Sequence, residues 1–264
     1  MKATDKQWLF HHSSHNYELL VTRWKRVAEE VGLEIISLAD QGGYEIFALR
    51  GGRSDQGDGV YLSAGVHGDE PATVWALLQW AEANRERLAG EPIIILPCVN
   101  PWGLVNNMRG DEKGRDLNRM FQNETLPFFL SWRKLLGKQQ FRMTLNLHED
   151  YDAQGIYVYE LAPPDVDVSD QVFTRIESII PRESRKEIEG RPVRAGMVHR
   201  SEDLRRVVEE ELDGGCPEAI YLYLNHTQLA LTFETPSEFA FHERVQAQMG
   251  FIEGVMENTR RITL

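Results

Sequence analysis

The chain has 264 residues, 42% hydrophobic and 27% charged, with a formal net charge of −12. That composition suits a soluble globular protein with a substantial core, and the acidic balance argues against nucleic acid and anionic membranes as partners. The two cysteines, Cys98 and Cys216, exclude a disulfide scaffold and form no C-x-x-C metal pair.

Taken in chain order, the N-terminus lacks an apolar core with a small-residue cleavage site, so no signal peptide is read and a cytoplasmic location is expected. No apolar run is long enough to span a bilayer. Leu20, Trp24, Val27 and Val31 share one face of a 3.6-residue period, which predicts a helix from about Tyr17 to Val31. Asn16 is placed to cap it and Gly32 to end it. A strand, "YEIFALR", follows the Gly42-Gly43 turn, and "GGRSDQGDG" reads as an exposed loop. "VYLSAGV" and "PIIILPCVN" are nearly continuous apolar runs, as expected of strands covered on both faces, with Cys98 a core thiol. A helix over about residues 71 to 88 separates them. Strand, helix, strand in that order predicts a parallel pair with a right-handed crossover.

"NPWGLVNNMRGDEKGRDLNR" is polar and too long for a simple turn, the kind of segment in which function concentrates. A helix is expected over about 126 to 136. Next comes a strand, "MTLNLH", with "GIYVYEL" beside it, and then helices in "VSDQVFTRIESII" and "SEDLRRVVEEEL". "AIYLYLN" and "LALTFE" read as strands. A last helix is expected over about 237 to 260, with Ser237 as its cap and Val245, Met249, Ile252 and Met256 on one face. No repeat or linker divides the chain, so residues 1–264 are expected to form one domain. The expected fold class is α/β: a mixed, mostly parallel central sheet flanked by helices.

Chemistry gathers at the predicted strand ends. His67 and Glu70 follow one apolar strand, His148 ends a second and Glu234 ends a third. In open α/β sheets, ligands bind beyond the carboxyl ends of the parallel strands. Two imidazoles and a carboxylate are a common catalytic zinc set that leaves a fourth position for water. A further unligated carboxylate can take a proton from that water and pass it to a leaving amine. On this reading His67, Glu70 and His148 hold metal and Glu234 is the base. Each residue alone has a plainer reading: loop acid, helix cap or hydrogen-bonded histidine. Arg109, Arg115, Asn118 and Arg119 lie in the long loop. Guanidinium forks hold carboxylates bidentately or stabilise a developing oxyanion. Pairing with the neighbouring Asp111, Glu112 and Asp116 is the alternative. His226 could line the pocket. Glu149 or Asp150 could orient a ligand imidazole. The "HHSSH" cluster, with His11, His12 and His15, lacks strand context and is set aside.

The ordered series "HGDE", "NPWG", "DLNR", "NLH", "LTFET" resembles the zinc carboxypeptidase family, including its succinylglutamate desuccinylase and aspartoacylase branch, over about residues 60 to 240. The resemblance implies a sheet of about eight strands. It implies one zinc ion on His67, Glu70 and His148, with Glu234 as general base and acid. It implies Arg109 as the oxyanion partner, and Asn118 with Arg119 as the clamp for a substrate carboxylate. Family peptidases also use a tyrosine upstream of the catalytic glutamate, for which Tyr221 and Tyr223 are the nearest candidates. The segment from His148 to Glu234 is shorter than in digestive carboxypeptidases, so their specificity pocket does not carry over. The chain ends soon after the helix following Glu234, without the extra β domain expected of the acylase branch. The expectation is therefore a metallocarboxypeptidase acting on a peptide with a free carboxylate. An N-acyl amino acid deacylase and a non-catalytic metal- or ligand-binding protein are the alternatives.

Overall fold

The computed structural model describes residues 11–52, 58–163, 166–200 and 203–261. Part of the predicted "GGRSDQGDG" loop and the side chains of His11 and His12 lie outside the described residues. Helix α1 (Tyr17–Val31) has the predicted bounds, with Asn16 accepting a hydrogen bond from Leu19 N and Gly32 closing it in the left-handed region. β1 (Glu34–Gln41) and β2 (Tyr44–Gly51) pair antiparallel across the Gly42-Gly43 turn. β1 was not foreseen, because half of its residues are exposed or polar and it shows no clean alternation. β3 (Gly59–Ser63), α2 (Pro71–Ala83) and β4 (Ile93–Leu96) form the predicted parallel unit. The helix stops at Ala83, earlier than expected, because the backbone leaves helical geometry at Asn84.

The long polar segment opens with a short helix, α3 (Pro101–Asn106), capped by Asn100. Beyond it lie α4 (Pro127–Leu136), β5 (Phe141–Asp150), β6 (Tyr157–Leu161) and α5 (Ser169–Ile176). A two-stranded ribbon, β7 (Glu187–Ile188) and β8 (Arg191–Pro192), precedes β9 (Met197–Arg200). The predicted helix in "SEDLRRVVEEEL" is a single α-turn at Leu204–Arg206 running into a wider, π-type turn at Val207–Glu211.

"AIYLYLN" is a helix, α6 (Glu218–Asn225), and not the expected strand. A short apolar run cannot separate a buried strand from a buried helix by periodicity. Here Glu218 and Leu222 are buried on one side of the helix and Ile220 on another, in separate clusters. β10 (Ala230–Pro236) and α7 (Phe241–Asn258) complete the fold. Ser237 does not cap α7. Ala240 occupies that position, and Glu243 accepts a hydrogen bond from its N–H.

The eight-stranded sheet runs β1-β2-β4-β3-β5-β10-β6-β9. Its middle, β4-β3-β5-β10, is parallel throughout. β6 joins antiparallel to β10 and not, as expected, to β5. Side chains alternate between two cores, Val60 and Leu62 on one face and Tyr61 on the other. α1, α2, α5 and α7 cover the first face, while α4 and α6 cover the second. β3, β5 and β10 therefore end at the same edge of the sheet. Among the described residues, no helix is long and apolar enough to cross a membrane.

Candidate metal centre and substrate cleft

Regular pairing of β3 stops at Ser63, and the chain turns through Gly65, with its φ of 65°, and a bend to bring in His67 a few residues further on. Gly68 then packs backbone to backbone on α3. A Cβ at Gly68 would lie 1.9 Å from Gly103 C and 2.2 Å from Leu104 N. The glycines of "HGDE" and "NPWG" thus meet. Gly68 is required by this close approach, since any side chain there would overlap the α3 backbone. Gly68→Ala is expected to destabilise the protein by about 3 kcal/mol or more, the upper range for overpacking. Denaturant unfolding checks this, and an unchanged midpoint would contradict the contact.

Glu70 precedes Pro71 at the start of α2 but does not cap the helix. Glu149 takes over part of that task, accepting from Ala72 N at 2.9 Å. Glu70 is thereby free to face the two histidines. Its Oε1 lies 2.5 Å from His67 Nδ1, and its Oε2 lies 3.0 Å from His148 Nδ1. Glu149 N donates to the same Oε2 at 3.1 Å. All three side chains are buried, and one ligand atom from each lies within 4.8 Å of the others. Burial alone would push the His67 imidazole down. The charge of Glu70 and hydrogen bonds to Asp116 and Glu70 overcome it, raising His67 to about 9. Burial would push Glu70 up, but the two imidazoles bring it down to about 2. Two imidazole nitrogens and a carboxylate, buried and converging, are a donor set that could hold a divalent metal.

Asp116 is the partner that the sequence reading passed over. Its Oδ1 lies 3.2 Å from His67 Nε2, on the ring edge away from Glu70, and its Oδ2 accepts from Arg109 Nη2 at 3.1 Å. Partial burial opposes ionisation, but His67 and the arginines outweigh it and hold the carboxyl well below the usual range. The contact joins residues 49 positions apart, so nearby arginines gave the only sequence signal. The side-chain contact to a site imidazole considered for Glu149 or Asp150 is made to His67 by Asp116. Asp116→Ala is expected to weaken binding of a divalent metal ion by about 10- to 100-fold. Chelator competition measures it, and an unaltered affinity would remove Asp116 from the centre.

Glu234 sits beside His148 in the parallel β10–β5 register and opposite Tyr157 in the antiparallel β10–β6 register. Its carboxylate is buried, and among the described residues it takes no hydrogen bond. Burial pushes it up to about 8. The Glu70 charge adds to this, and His148 opposes it.

One cleft of about 490 Å³ is lined by His67, Glu70, His148, Glu234, Arg109, Asn118 and Arg119, all the residues singled out for the site. Arg109 is half-exposed, with Nη1 3.7 Å from Glu70 Oε1. Asn118 Oδ1 accepts from Glu218 N, which leaves its amide hydrogens available. Arg115 instead pairs with Asp111. Tyr221 packs on Trp132 at 5.0 Å between ring centroids, and neither it nor Tyr223 lines the cleft. Tyr151, Tyr157 and Tyr159 do. His226 lies at the opposite end of the sheet, bonded to Gln139 O beside the start of β5. His15 bonds to Leu104 O.

Residues 56–161 match the model of the succinylglutamate desuccinylase/aspartoacylase catalytic domain. That match covers less than half of the chain, and the fold of the whole is carboxypeptidase-like. Solved structures share the fold at low identity. A protein of Shewanella denitrificans, provisionally assigned as a metallopeptidase, is 22% identical with a TM-score of 0.80, covering 94% of this chain and 92% of its own. A metallo-carboxypeptidase from Burkholderia cenocepacia is 15% identical with a TM-score of 0.67, covering 92% and 69%. A metallo-carboxypeptidase from Pseudomonas aeruginosa, in complex with (2-guanidinoethylmercapto)succinic acid, is 17% identical with a TM-score of 0.57, covering 90% and 69%. No curated protein matches the sequence.

Proposed function

We propose that this chain is a zinc-dependent hydrolase, acting as one domain in the cytoplasm, that cleaves an amide bond next to a free carboxylate, most simply as a metallocarboxypeptidase. The observation that carries this reading is the meeting of a buried His-Glu-His set, an unbonded buried carboxylate and an arginine-asparagine group in one cleft. A zinc ion held by His67, Glu70 and His148 would supply Lewis acidity and an acidified water. Glu234 would accept a proton on its carboxylate and return it to the leaving nitrogen. A carboxyl raised toward neutrality by burial suits both directions of transfer. Arg109, half-exposed at the cleft edge, would donate to the carbonyl oxygen as negative charge develops there. Asn118 and Arg119 would bind the substrate carboxylate and fix its register. The Pseudomonas structure, solved with a dicarboxylic acid, is consistent with an anionic ligand in such a cleft.

Leu161, Leu212, Ala219 and Ile220, which line one apolar part of the cleft, cluster together there. This favours an uncharged side chain on the residue that bears the carboxylate. The match to the desuccinylase/aspartoacylase domain favours a second reading, deacylation of an N-acyl amino acid by the same groups. A screen of blocked dipeptides, murein-type peptides, and N-acetyl and N-succinyl amino acids separates the two. The expected outcome is higher kcat/KM on dipeptides ending in leucine or phenylalanine than on those ending in glutamate or lysine. Turnover confined to N-acyl amino acids would establish the second reading. A non-catalytic binding protein would turn over none of them.

A further inference from the structure

Glu218 is a carboxylate only 1% exposed, and the mechanism above does not use it. It opens α6, yet its side chain reaches the central strands. Tyr61 of β3 donates to one carboxylate oxygen, and Ser63 Oγ donates to the other at 3.0 Å. Those partners are themselves held. Asn146 Nδ2 of β5 donates to Ser63 Oγ at 2.8 Å, and Trp132 Nε1 donates to the Tyr61 oxygen at 2.9 Å. A carboxyl group sunk this deep is costly unless it is hydrogen-bonded, and this one is bonded on both oxygens.

The backbone of the same residue holds something else. Glu218 N donates to Asn118 Oδ1 at 3.0 Å. Two residues earlier, Cys216 N donates to Arg119 O at 2.9 Å, and Phe121 N donates to Cys216 O at 3.1 Å. Residues 215 to 218 therefore brace residues 118 to 121 like a short strand, bridged at Met120 and Cys216. Gly215 allows the approach, since a Cβ there would lie 3.2 Å from Arg119 Cδ. Fixing Asn118 Oδ1 also fixes which end of that amide is left to donate to a ligand.

We propose that Glu218 is a positioning residue for the substrate-carboxylate clamp. Its side chain ties the brace to the sheet, and the brace sets the amide of Asn118 and the backbone of Arg119. The inference rests on the reading of Asn118 and Arg119 as that clamp.

The test compares zinc-loaded wild type with Glu218→Gln, Ser63→Ala and Asn118→Ala. It measures KM and kcat on N-acetyl-leucyl-leucine, Ki for its C-terminal amide, zinc content and thermal midpoint. Glu218→Gln is expected to raise KM about 10-fold, within the cost of a misplaced positioning group. Ser63→Ala, which removes one of the two side-chain donors to Glu218 and the acceptor of Asn146 but no charge, is expected to shift KM the same way by less. In both, kcat, zinc content and the amide Ki stay near wild type, whereas general loosening of the core would move these three along with KM and the thermal midpoint. If Asn118→Ala raises KM but Glu218→Gln and Ser63→Ala leave it unchanged, the role of Glu218 is wrong and the clamp stands. If Asn118→Ala also leaves KM unchanged, the clamp reading falls and this inference with it. Should Glu218→Gln fail to fold, Ser63→Ala decides alone.

Discussion

Glu234→Gln is expected to lower kcat on a good substrate by about 10³-fold, the middle of the range for losing a general base, while one metal ion per chain is retained. The substitution keeps shape and volume and removes only the ability to take a proton. Glu234 enters the cleft from β10, one strand away from His148 and outside the ligand-atom cluster of His67, Glu70 and His148. Removing its charge should leave those donor atoms in place. Its carboxylate has no hydrogen-bond donor among the described residues, so no local network collapses with it. Metal analysis and steady-state rates on the same preparation decide the matter. Rates near wild type with metal bound would remove Glu234 as the base. Loss of metal together with activity would make Glu234 part of the donor set.

Glu70→Ala is expected to abolish stoichiometric zinc uptake, a loss larger than the roughly 100-fold upper range for outer partners such as Asp116. Among the described residues, Glu70 is the one side chain paired with both imidazoles, at 2.5 and 3.0 Å. It is also tied to β5 through Glu149 N. Removing it takes away a ligand atom and the charge that balances two buried rings. Two imidazoles alone leave a divalent cation undercoordinated. Zinc titration of metal-free protein followed by calorimetry measures this. Wild-type affinity in Glu70→Ala would exclude the carboxylate as a ligand and turn attention to Asp116 as its replacement. Glu149→Ala offers a milder contrast. It leaves Glu70 in place but removes the acceptor at Ala72 N and the partner of Arg244.

Much of the site is legible in the sequence for a simple reason. Buried parallel strands are apolar runs, and polar groups that follow such runs must emerge at the sheet edge. "GVYLS", "TLNL" and "ALTF" are of this kind, and His67, His148 and Glu234 stand at their ends. Capped amphipathic helices were equally readable, as with Asn16 and Gly32 bounding α1. The failures have physical causes too. β1 carries too many polar side chains to show a strand period. α6 has a composition that suits either strand or helix, and its burial on the second face of the sheet decides between them. Asp116 sits among arginines that offer a local explanation, while its contact with His67 depends on the fold of a long loop.

The sequence by itself determined the chemical inventory: which strands end in donors, which segment supplies the arginines, and that the acid at Glu234 stands apart from the His67–Glu70 pair. Only the tertiary structure decided how these meet. It placed β10 between β5 and β6, so that Glu234 lies beside His148. It brought Gly68 against Gly103, so that the arginine loop reaches His67 through Asp116. It also bonded Glu218 N to the Asn118 side chain and lined the cleft with tyrosines from the stretch after His148, not from the segment before Glu234. Strand order, backbone-to-backbone contact and long-range hydrogen bonding are pairings between distant residues. A one-dimensional pattern records the partners of such contacts but not the pairing, which packing alone selects.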